Sequence, residues 1–190
     1  MSRLVFTTSI LCVGLVYGAS GVMHFIRHDE LREHLTSQQV LAARLVAFGA
    51  VAVTAVELSV ATLTALFAVG VLDRLLLLTC AMAPAVLLFV GFAVYLWMVR
   101  RRVGDGGAPC GCGVGESVTT RESIVRAGVL AAVALLAVIG LQGQFTSPDL
   151  INEDPLFVVL VASASLTTTV IAMWLPVAFQ QNRLLEEALI

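Results

Sequence analysis

The chain has 190 residues, 59% hydrophobic and 13% charged, with net charge −2 and mean hydropathy +0.97. A soluble domain carries about 25% charged residues, so roughly half of the usual water-facing chemistry is missing, which argues against a soluble enzyme. All eleven basic residues are arginine, and they form no basic surface of domain size, so nucleic acid is not an expected partner.

The first apolar run, "MSRLVFTTSILCVGLVYGASGVMHF", is longer than a signal-peptide core and has no convincing cleavage site. It reads as a first membrane span over residues 3–26. Gly14 and Gly18, followed by Gly21, mark a face for close helix packing. His24, His28 and His34 gather at its far end, where a polar interfacial rim is a better reading than a metal site. "HDELREHLT" follows, with Leu31 and Leu35 four apart among charges; it fits a short helix in the headgroup layer or a solvated turn.

Thr36 and Gln39 have capping-box spacing before a second span, residues 40–72. Glu57 sits near its middle, with nothing ionisable within ten residues on either side. A charged carboxylate at that depth costs at least about 2.5 kcal/mol. Glu57 must therefore face the bundle interior, be protonated, or pair with a polar group such as Tyr17 or Thr54. The third span, residues 75–99, carries Cys80, Pro84 as an expected kink, and Trp97 near its end. Spans four and five are expected over residues 123–144 and 156–180. Thr119 with Glu122 precedes the former and Asp154-Pro155 the latter. The hydroxyls of "LTTTV" at 166–170 read as bonds to backbone or neighbouring helices. The expectation is a single integral membrane domain over residues 1–190. Its fold is an all-α polytopic bundle of about five spans, a four-helix core plus a C-terminal helix.

Arginine counting sets the expected orientation. The segments 27–39 and 100–122 and the C-terminus share Arg27, Arg32, Arg100, Arg101, Arg102, Arg121 and Arg183, against Arg3 and Arg74 on the other side. The N-terminus is expected outside, and the C-terminus and the 100–122 loop at the cytoplasmic face of the cell membrane.

That loop contains "GGAPCGCGVGES". A disulfide between Cys110 and Cys112 would close a small strained ring and exchange readily. Arg100, Arg101 and Arg102 favour thiolate over thiol. The pair suits redox exchange or half of a metal site; zinc alone wants four ligands, and no nearby residue completes the set. Cys12 and Cys80 would meet only if the first and third spans pack together, and are otherwise small packing residues. About 30 Å of helix separates Cys80 from Arg100, so a relay between the cysteine pairs would need a mobile carrier such as a quinone.

Three features carry a resemblance to the MauE group of the DoxX-like redox-associated membrane proteins: "YGASGVMHF" in the first helix, the buried acid of "AVELSVATL", and the Pro109-Cys110-Gly111-Cys112-Gly113 loop followed by Arg126. It covers roughly residues 10–140. The family usually has phenylalanine where this chain has Gly113, and its lysine near the end of the first helix is His24 or absent here. The resemblance implies a membrane protein that supports thiol–disulfide traffic or the maturation of a partner enzyme, often with a thioredoxin-like protein. Cys110 and Cys112 would exchange with a thioredoxin-like or sulfur-handling partner, with Glu57 handling protons or the oxygen of a quinone, the one candidate cofactor. The alternatives are an accessory or scaffold subunit of a larger membrane complex, and capture of a soft metal ion by the two thiolates.

Overall fold

A computed structural model describes residues 2–38, 40–103, 121–142 and 154–188, and among these all regular structure is helical. The elements are α1 (Ser2–Ile26), α2 (His28–Ser37), α3 (Ala43–Ala68), α4 (Arg74–Leu77), a π-helical turn (Leu78–Met82), α5 (Ala83–Val103), α6 (Arg121–Gln142) and α7 (Pro155–Ala188). Val5–Ile26, Ala43–Ala68 and Leu75–Arg102 are long and apolar enough to cross a bilayer; Ser123–Ile139 and Pro155–Ile171 are shorter apolar helices. Phe48, Leu87 and Phe25 are among the many large apolar side chains on the outside, at 73%, 72% and 70% exposure. Such a surface is stable in lipid and a liability in water. The molecule is a helical membrane bundle.

Helix ends follow local chemistry. Asp29 and Glu30 stand in the first turn of α2, where acids favour the helix dipole, and Leu31 buries its apolar side. "HDELREHLT" is thus helical. Thr36 does not cap α3: it belongs to the last turns of α2, its hydroxyl donates to Arg32 O at 2.7 Å, and the residue before α3 is Ala42. α3 stops at Ala68, earlier than the hydropathy run to residue 72. Gly70 takes φ 75°, and the N–H groups of Gly70 and Val71 close back onto Phe67 O and Leu66 O at 3.1 and 2.9 Å. This is a Schellman-type end, available to glycine because it has no Cβ. Asp73 then starts α4 by accepting the Leu76 N–H at 2.9 Å, and Asp154 accepts the Leu156 N–H at 2.9 Å before α7. The π-turn comes directly before Pro84, whose missing N–H breaks the regular ladder there.

α1 is the most enclosed of the long helices. A Cβ built on Gly14 would meet Thr64 Cγ2 at 2.6 Å, one on Gly18 Ala61 Cβ at 3.5 Å, and one on Gly21 Glu57 Cβ at 3.1 Å. As numbers rise along α1 they fall along α3, so the two run antiparallel at close approach. α7 runs the same way as α1: Ser165 Oγ donates to Thr8 O at 3.5 Å and Thr169 Oγ1 to Cys12 Sγ at 3.6 Å. Thr168 bonds back to Ala164 O, so the hydroxyls of "LTTTV" serve both backbone and neighbour. Ile10, Val13, Phe67, Leu77, Met82 and Ala134 form the centre of the core.

Candidate functional site: an intramembrane cavity

The close α1–α3 packing brings two ionisable side chains together inside the bundle. His24 follows Gly21 by three residues and so continues the glycine stripe toward α3. Its Nδ1 lies 2.7 Å from Glu57 Oε2, and Ser20, one turn before it, donates from Oγ to Glu57 Oε1 at 2.8 Å. His24 and Glu57 are 6% and 5% exposed. Both carboxyl oxygens are therefore satisfied, and the partners are His24 and Ser20, not Tyr17 or Thr54. Thr54 bonds to Ala50 O in its own helix, and the Tyr17 hydroxyl donates to Ala85 O of α5 at 2.7 Å. An imidazole and a carboxyl group in contact can satisfy one another without net charge, which is how two such groups remain affordable at this depth.

The pair forms part of the wall of a cavity of about 290 Å³ between α1, α2, α3, α5 and α6. Tyr17 and Phe89 stack at its inner end, ring centroids 4.5 Å apart. Phe89, Phe92 and Tyr95 line one side of α5 at three-residue spacing. His34 and Leu35 of α2, with Gln38 directly after it, cover the other end, where the Tyr95 hydroxyl donates to Gln38 Oε1. The short helix is thereby tied across the bundle. Arg126, near the start of α6, also lines the cavity, and among the described residues no hydrogen bond or ion pair engages it.

Cys110 and Cys112 lie outside the described residues. Arg100, Arg101 and Arg102 end α5, and the Arg101 guanidinium sits 3.8 Å from the Trp97 ring centroid, a cation–π contact. Cys12 is buried against Thr169, whereas Cys80 is exposed beside Thr79 in the π-turn; both are free thiols and the bundle does not pair them. Among the described residues no group of three or more His, Cys, Asp or Glu could hold a metal ion.

The site thus contains His24, Ser20, Gln38, Tyr95 and Arg126 beyond the expected Glu57. His24 is a buried partner and not part of an interfacial rim. Its place was signalled by the stripe Gly14, Gly18, Gly21, which reaches residue 24 in the same helical register.

The family model described as methylamine utilisation protein MauE matches residues 1–140. No curated protein and no solved structure shows significant similarity to the chain.

Proposed function

Because this chain belongs to the methylamine utilisation protein MauE family, we propose that it is a multi-pass membrane factor that supports maturation of a partner enzyme by thiol–disulfide exchange. Cys110 and Cys112 are the exchanging couple, and the His24–Glu57 pair handles protons within the bundle. In one exchange, a thiolate of the couple attacks a disulfide of a thioredoxin-like partner. The second thiol then displaces the partner from the mixed disulfide. The couple leaves oxidised and the partner leaves as a dithiol, with two electrons and two protons transferred. Arg100, Arg101 and Arg102 supply the positive potential that favours thiolate and guides docking.

The observation that carries this reading is where the cavity ends. Its outer wall includes Tyr95 of α5 and Arg126 of α6, the two helices joined by the segment that bears the cysteines. The pair thus lies in a cavity that reaches toward the end of α5 and the start of α6, the two helices that flank the cysteine segment in sequence, and this supports the reading.

The test is disulfide trapping in cells. A Cys110→Ser or Cys112→Ser variant should accumulate a reductant-sensitive adduct with its partner on a non-reducing gel, and the double variant should form none and lose growth on methylamine. Normal growth of the double variant, with no adduct in either single variant, would remove the thiol reading.

A further inference from the structure

We propose that the cavity is a binding site, open to the lipid, for a lipid-soluble quinone. This rests on the reading of His24–Glu57 as a protonatable pair, and it names the molecule that the pair faces.

The opening comes first. Leu87 and Gly91, one turn apart on α5, both line the cavity, yet both are exposed on the outside of the bundle. A Cβ built on Gly91 meets nothing within 4 Å. On a helix whose outer face is otherwise covered with large apolar side chains, that gap faces hydrocarbon. A molecule reaching the cavity by this route must be soluble in lipid.

The lining then narrows the chemistry. Apart from Tyr17, whose hydroxyl donates to Ala85 O, the polar groups occur in two sets: Ser20, His24 and Glu57 on α1 and α3, and His34, Gln38, Tyr95 and Arg126 on α2, the residue that follows it, α5 and α6. Apolar side chains make up most of the remaining wall. Arginine stays charged in proteins, and among the described residues no carboxylate forms an ion pair with this one, which lines a mostly apolar space. It calls for an electronegative oxygen on the ligand. A fatty acid offers a single polar end and would engage one set only. A quinone presents two oxygens across a flat ring, one for each set, and carries an apolar tail that can remain in the opening. The aromatic row Phe89, Phe92 and Tyr95 offers the stacking surface that a flat ring uses and an alkyl chain does not.

The experiment is equilibrium binding of decylubiquinone to the purified full-length protein in nanodiscs, with oleate as competitor. Saturable binding near one per chain is expected, unaffected by excess oleate. Arg126→Gln and Gly91→Phe should each weaken it at least tenfold, the first by removing the cation and the second by filling the opening. Gly91→Phe should keep the melting temperature of the parent in the same nanodiscs, which separates a filled opening from a lost fold. Oleate displacing the quinone would mean a general lipid cleft, and equal binding by Gly91→Phe and Arg126→Gln would place the quinone elsewhere; either result overturns the proposal. The Cys110→Ser/Cys112→Ser protein should still bind. Lost binding with intact disulfide trapping would therefore fault this inference alone, and intact binding without trapping would fault the thiol reading alone.

Discussion

Glu57 illustrates how a costly residue is tolerated. Buried in a helix that is otherwise apolar, its carboxyl group holds one bond from Ser20 and one with His24. Replacing His24 by alanine strands the acid with a single partner, and the expected loss is about 3 kcal/mol. Glu57→Gln retains the shape and the Ser20 bond, so it should unfold within about 1 kcal/mol of the parent while abolishing the proposed proton handling. A pair of leucines at both positions needs no polar partner. His24→Leu/Glu57→Leu should therefore cost clearly less than the sum of its single changes. Thermal unfolding of the four proteins in one detergent measures this, and strict additivity would show that the two side chains do not interact. At this scale the sequence was half legible. An acid inside an apolar run announces itself, but a histidine near a helix end looks like headgroup chemistry until its register is traced from Gly14. Arg126 reads in the sequence as the basic residue after the cysteine loop, but its place in the cavity wall was hidden, because sequence alone does not show which way it faces.

Helix existence followed from apolar length, whereas helix ends depended on chemistry that hydropathy does not weigh. The second span overran its helix because Val69, Val71 and Leu72 are apolar, although Gly70 ends it by turning left-handed. Thr36 and Gln39 have the right spacing for a cap, but the preceding helix had already claimed Thr36. Glycine use can now be separated by surroundings. Gly14 stands against buried Thr64, whose branched side chain cannot rotate away freely, so Gly14→Ala should force α1 from α3 and lose about 1–3 kcal/mol. Gly128 meets nothing within 4 Å, so Gly128→Ala should be neutral or should stabilise by up to about 1 kcal/mol through helix propensity. Melting temperatures of the two variants side by side decide this. Equal losses would mean that helix flexibility, and not close approach, explains these glycines.

At the scale of the whole molecule, a scaffolding role would need a face for a partner helix. The Gly14–Gly18–Gly21 stripe, the obvious face for a partner helix, is used inside the chain against α3, and the remaining outer surface is the kind that lipid covers. A bundle that encloses the His24–Glu57 pair, and an arginine with no ion-pair partner among the described residues, is organised around its interior. Orientation then decides which compartment the thiols serve. α1 and α7 run the same way, the relation expected when an odd number of crossings separates the first helix's start from the last helix's end. Parallel α1 and α7 fit either orientation, so the expected outside N-terminus and cytoplasmic loop rest on the arginine bias of the sequence and are decided by labelling. In a Cys12→Ala/Cys80→Ala background, a membrane-impermeant maleimide should label Cys110 and Cys112 in inverted vesicles and not in intact cells. If the couple rests oxidised, labelling should require a prior reductant. Labelling from intact cells would put the arginine-rich loop on the outer face, against the charge bias. The thiol partner would then have to be an exported protein.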